Sequence, residues 1–117
     1  MLRKTLSFLV LAAGISSTSA ALADDISIGA VFPLSGPNAT YGDIFMSGAD
    51  LAAEHVNEDG LLSGDLNILY EDSQALPQQG VVAMNKLVNV EGVPYTLSAF
   101  TGVSKAISTL AQRSQTV

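Results

Sequence analysis

An α/β protein on a parallel sheet with helices on both faces is what this sequence predicts, and three observations carry the prediction. Short apolar runs alternate with helical stretches, in the order strand, helix, strand, helix, strand, helix. The strand runs are near-continuously apolar rather than alternating, which suits strands covered on both faces. The first helix carries the small residues Gly48, Ala49, Ala52 and Ala53, which let it lie close on a sheet. Helices placed between strands in this way call for right-handed crossovers.

Ile26 to Phe32 reads as the first strand, and Pro33 ends it. Leu34 to Thr40 is rich in turn formers (Ser35, Gly36, Pro37, Asn38), and Thr40 with Asp43 offers a capping pair for the helix that follows. From about Gly42 to Glu58, Phe45, Ala49, Ala52 and Val56 recur at helical spacing, and Asn57 to Gly60 stops the run. Leu66 to Tyr70 is the second strand, followed by Glu71 and Asp72 and a turn leading to Pro77, a residue suited to the first helical position. Val81, Met84, Leu87 and Val88 form the apolar stripe of the second helix, which Gly92 closes. Val93 to Leu97 reads as the third strand. Thr101 and Gly102 open a third helix with Val103, Ala106, Ile107, Leu110 and Ala111 on its apolar side.

The 117 residues hold 48% apolar, 6% aromatic and 14% charged residues with no cysteine, which bounds the chain to one domain and excludes disorder, disulfides and thiolate chemistry. Arg3 and Lys4 precede the apolar run Leu6 to Ile15, and Ala21 and Ala23 supply the small residues a signal peptidase reads. This order is that of a secretory signal peptide over residues 1–23, cleaved after Ala23, and the run is too short to span a bilayer. With Asp at position 24 and no cysteine, a lipid-anchored product is excluded; export as a free protein is expected. Residues 24–117 keep eleven acidic side chains against Lys86, Lys105 and Arg113, a net charge of −8 that argues against nucleic acid and anionic lipid as partners. The chain stops after the third helix without a fourth strand, and residues 24–117 are read as the N-terminal part of a longer domain.

Much chemistry is excluded by spacing. No two glycines are separated by a single residue, which removes the dinucleotide fingerprint, and no glycine precedes a Lys-Ser/Thr pair, which removes the phosphate loop. The sole histidine, His55, has Asp59 where a zinc helix needs a second imidazole, so no metal and no cofactor are expected. Glu71 and Asp72 are adjacent on a strand and point to opposite faces, which makes them no catalytic pair. Gly102-Val103-Ser104-Lys105-Ala106 matches four of the five positions of a nucleophile elbow and leaves open an exported hydrolase using Ser104.

What remains are the loops after the first and third strands, because ligands of parallel α/β sheets bind beyond the carboxyl ends of the strands. Tyr41, Phe100, Thr101, Gly102 and Ser104 supply aromatic walls, hydroxyls and free N–H groups with almost no charge. Such loops suit reversible holding of a small polar or zwitterionic solute. A carboxylate would accept hydrogen bonds from Thr101, Ser104 and the amides opening the third helix.

The stretch IGAVFPLSGPNATYGDIFMSGADLAAEHVNEDGLLSG, with LNILYEDSQALPQQGVVAMNKLV and TGVSKAI, resembles the N-terminal lobe of periplasmic solute-binding proteins of the leucine/isoleucine/valine-binding type, the receptor subunits of ABC importers. The resemblance covers essentially all of residues 24–117. It implies the type I periplasmic binding fold of two hinged α/β lobes, no enzymatic activity, an amino-acid-like ligand, an inner-membrane ABC permease as partner and a monomeric receptor at full length. It also implies that Tyr41 walls the ligand and that Thr101, with Gly102 and Ser104 completing the turn, holds the ligand carboxylate. Thr101 stands where serine is commoner, and Asp59, Leu61 and Leu62 replace the usual glycine pair and isoleucine. A periplasmic sensory domain of the same fold is the remaining alternative.

Overall fold

The computed structural model describes residues 24–117. The expected leader over residues 1–23 and its cleavage site lie outside the described residues. Strand β1 (Ile26–Phe32) leads to helix α1 (Ala39–Glu58), strand β2 (Leu66–Asp72), helix α2 (Pro77–Asn89), strand β3 (Thr96–Ser98) and helix α3 (Thr101–Ser114). The sheet is parallel throughout, with order β2-β1-β3. Along its length β1 pairs with β2, Ile26 opposite Leu66 and Phe32 opposite Asp72, and its second half pairs with β3, Gly29 opposite Thr96.

The central position of β1 explains its composition. Alternate side chains of β1 enter two different layers, so both sets must be apolar or small. Val31 joins the cluster of Met84 and Leu87 from α2 and Val103 and Ile107 from α3, all buried. On the other face Phe32 meets Phe45 of α1 at 5.5 Å between ring centroids and Tyr70 of β2 at 6.1 Å. The Tyr70 hydroxyl donates to Asp50 Oδ1 of α1 at 2.5 Å, which ties that helix to the sheet. On the opposite face the Lys86 ammonium of α2 pairs with the Glu71 carboxylate of β2. Glu71 and Asp72 therefore serve opposite faces, as their adjacency requires.

Four details differ from the sequence-based expectation. Helix α1 begins at Ala39 rather than near Gly42, and its N-cap Asn38 makes no side-chain capping bond; Thr40 and Asp43 lie inside the helix and cap nothing. Ala52 is exposed, and Ala53 with Gly42 faces the sheet instead. Gly42 is there because the Pro33 carbonyl occupies the space a Cβ would need, so only glycine lets the helix start lie against the strand end. Strand β2 runs on through Glu71 and Asp72. Strand β3 is short, Thr96–Ser98, while Val93 is buried ahead of it in the core.

Beyond α3 the chain turns at Gln115, whose φ of 56° is left-handed, and Thr116 is buried. Val117 then accepts a hydrogen bond from Thr96 N–H at 2.7 Å and donates to the Pro94 carbonyl at 3.1 Å. These two bonds are one rung of a parallel ladder, formed on the β3 edge away from β1.

Candidate functional site

The carboxyl ends of β1 and β3 lie side by side in a parallel sheet, and the loops leaving them meet. Tyr41, in the first turn of α1, and Phe100, immediately before α3, bring their rings together edge to face at 5.9 Å between centroids and 84° between planes. Such pairs are worth roughly 0.5 to 1.5 kcal/mol beyond the area they bury. Both rings remain open to solvent, Tyr41 54% and Phe100 36% exposed. Tyr41 also leans on Phe45 at 6.5 Å, so an aromatic row runs from the open surface down to Phe32 in the sheet.

Backbone geometry fixes Phe100. Its φ of 66° with ψ of 121° is a conformation that side-chain-bearing residues rarely adopt, and strain of this kind persists only where surrounding contacts over-determine it. Ala99 N–H bonds the Val31 carbonyl at 3.3 Å on one side, and Ser104 N–H bonds the Phe100 carbonyl at 2.9 Å on the other. The helix that starts there has no acidic residue in its first turn and no side-chain cap. Among the described residues nothing accepts from its leading N–H groups, which can receive an external acceptor. Thr101 and Gly102 are exposed at that end, and the Ser104 hydroxyl shares a hydrogen bond with the Ser98 hydroxyl.

All five residues singled out by sequence therefore stand at one end of the sheet, Tyr41 in the first turn of α1, Phe100 immediately before α3, and Thr101, Gly102 and Ser104 in the first turn of α3. Among the described residues Ser104 has a hydroxyl partner and no neighbouring base: His55 lies in α1, on the face opposite α3, and is exposed. A depression of about 330 Å³ lies at the other end of the sheet, between Asp25, Ile26 and Ser27 and the segment Glu91 to Pro94. It contains none of the residues with candidate roles.

Sequence reasoning did not assign a role to Asp72 at this end of the sheet. Its Oδ1 accepts from Leu34 N–H at 2.9 Å, Ser35 N–H at 3.3 Å and Gln74 N–H at 2.7 Å, and its Oδ2 accepts from the Ser35 hydroxyl at 2.5 Å. Partial desolvation pushes this carboxyl up, but the bonds from Ser35, Gln74 and Leu34 outweigh it and hold the group below its ordinary value. No local motif announces these bonds, because Leu34 lies 38 positions from Asp72 in the chain.

A sequence profile of the family described as periplasmic binding protein matches residues 25–117. The chain is 39% identical over 107 residues to the Leu/Ile/Val-binding protein homolog 3 of Brucella melitensis, covering 90% of this chain and 28% of that one. It is 40% identical over 78 residues to the Leu/Ile/Val-binding protein of Escherichia coli, covering 66% of this chain and 21% of the other. Among solved structures, a solute-binding protein of an ABC transporter from R. palustris, in complex with 4-hydroxybenzoate, superposes with a TM-score of 0.68 at 31% identity, over 78% of this chain and 25% of that one. The branched-chain amino acid transporter substrate binding protein of Streptococcus pneumoniae, in complex with isoleucine, superposes at 0.70 with 23% identity over 78% of this chain and 27% of that one, a likeness of fold. The chain thus spans 21% to 28% of these relatives' lengths. Nothing among them supports the alternative of a hydrolase using Ser104, which among the described residues has only the Ser98 hydroxyl as partner. With the parallel sheet, the two-faced helix packing and the match across residues 25–117 all in agreement, this chain belongs to the periplasmic binding protein family, as part of the N-terminal lobe of its fold.

Proposed function

We propose that the protein is the exported solute-binding receptor of an ABC importer, which holds a small amino-acid-like carboxylate between two lobes and passes it unchanged to an inner-membrane permease. The observation that carries this reading is the meeting of Tyr41 and Phe100 at 5.9 Å beside the uncapped start of α3. An apolar wall next to free amides and the Thr101 and Ser104 hydroxyls suits a ligand with a carboxylate head and an apolar body. Isoleucine and 4-hydroxybenzoate, held by the structural neighbours, both have that form. The carboxylate would lie at the α3 amides and Thr101, with the helix dipole adding roughly 0.3 to 1 kcal/mol. The apolar body would rest against Tyr41 and Phe100, where water is displaced.

Residues 24–117 supply one jaw of this clamp, and the rest of the protein supplies the other. Ligand contacts made to both jaws favour the closed state, and only that difference in affinity drives closure. Residues 1–23 act as a leader removed after Ala23, and the receptor works as a monomer in the periplasm. Full-length protein in a thermal-shift assay with branched-chain amino acids, other amino acids and hydroxybenzoates is expected to gain RT ln(1+[L]/Kd), about 2.7 kcal/mol at a ligand concentration 100 times Kd. A flat response to every member of that panel refutes the receptor reading.

A further inference from the structure

The β1–α1 loop, which delivers Tyr41 to the candidate site, is gripped from two sides. On one side Gly42 admits the Pro33 carbonyl against the start of α1. On the other the Asp72 carboxylate, at the end of β2, collects Leu34 N–H, Ser35 N–H and the Ser35 hydroxyl. Asp72 is itself set in place: Ser73 N–H continues the ladder to the Phe32 carbonyl at 2.8 Å, and Ser73 is fully buried. The next two residues, Gln74 and Ala75, have left-handed φ values of 51° and 59°. Two consecutive non-glycine residues in that region are costly and must be held. The holders are Asp72 Oδ1, which accepts from Gln74 N–H at 2.7 Å, and Ser73 Oγ, which accepts from Ala75 N–H at 3.2 Å. One carboxylate therefore ties the loops after β1 and β2 into a single rigid unit.

We propose that Asp72 is a positioning residue of the ligand site: its carboxylate, bonded to Leu34, Ser35 and Gln74, fixes the β1–α1 loop in the conformation that presents Tyr41 to Phe100. Asp72 touches no ligand in this account and acts through the loop. The inference rests on the receptor reading above and names the device that preorganises half of its aromatic wall. The carboxylate charge strengthens these bonds, three N–H groups on Oδ1 and the Ser35 hydroxyl on Oδ2: an amide in its place keeps the one oxygen without the charge and turns an N–H donor toward the Ser35 hydroxyl, which then has to accept.

The test uses full-length protein titrated calorimetrically with L-isoleucine and with 4-hydroxybenzoate, together with amide hydrogen exchange across residues 33–41. Asp72→Asn is expected to bind about tenfold more weakly, as loss of charge-assisted bonds predicts, and to exchange the Leu34 and Ser35 amides faster while α2 stays protected. Tyr70→Phe is the matched control, because it removes a hydroxyl–carboxylate bond between β2 and α1 and leaves the loop alone. It is expected to bind within about twofold of the wild type while losing comparable thermal stability. Asp72→Asn binding as tightly as the wild type overturns the positioning role, as does an equal loss of affinity in Tyr70→Phe. Where another member of the thermal-shift panel binds in place of these two, it serves as the probe; wild-type protein that binds no member of that panel overturns the receptor reading instead, and the positioning role falls with it.

Discussion

Thr101 has the most to lose from a small change. Its hydroxyl stands at the uncapped start of α3, exposed, while its methyl group adds bulk that serine lacks. Thr101→Val keeps the shape and removes the hydroxyl, so full-length protein should lose about tenfold or more in ligand affinity with little change in melting temperature. Calorimetric titration beside a melting curve checks this. Asp72 yields a prediction in pH. Its carboxyl is held below its ordinary value in the folded protein, so the stability it contributes is present above the unfolded value near 4 and fades as pH falls through the folded value. Denaturant titrations from pH 6 to pH 3 should show wild-type stability falling more steeply than that of Asp72→Asn, and parallel curves would count against it. Tyr70 shifts in the opposite sense. Desolvation, then the Asp50 hydrogen bond and charge, raise its phenol above the ordinary value, which keeps it neutral where a free tyrosine would ionise.

At the scale of elements, the close contact between α2 and α3 is readily tested. Gly80, in the first turn of α2, faces the buried Val103 side chain at 2.6 Å from where a Cβ would stand. Val103 has no room to retreat, so Gly80→Ala should destabilise by roughly 1 to 3 kcal/mol despite alanine's better helix propensity. Leu87, wholly buried between α2 and the sheet, should cost about 2 to 5 kcal/mol when cut to alanine. Urea melts of the two variants against wild type measure both. The strand and helix order was legible from periodicity, and so were the apolar stripes of α2 and α3. The start of α1 was not: Asn38 enters the helix without a side-chain cap, so the start is set by the packing of Gly42 on Pro33 rather than by the polar residues Thr40 and Asp43.

Considered as a whole molecule, residues 24–117 leave apolar side chains facing outward, with Leu51 and Ile44 on α1, Val82 on α2 and Tyr95 and Leu97 by the β3 edge all more than 40% exposed. The far edge of β3 has begun a parallel ladder with Val117 and is otherwise unpaired among the described residues. Open edges and apolar faces of this kind associate. Residues 24–117 expressed alone should therefore run larger than a monomer on size exclusion and melt with low cooperativity, whereas a sharp, concentration-independent monomeric transition would show that the segment stands by itself.

By itself the sequence determined the layering: β-branched apolar runs must be covered on both faces, helices between them must cross over, and the loops rich in hydroxyls and aromatics must lie at the carboxyl ends of the strands. Those are consequences of local period and composition. Only the tertiary structure decided that the Tyr41 and Phe100 rings meet edge to face, that Ser98 partners Ser104, and that Asp72 reaches across to Leu34 and Ser35. The reason is physical: a hydrogen bond or ring contact between distant segments depends on the register of β1 against its neighbours and on the depth at which each helix seats. No short window of sequence encodes either quantity.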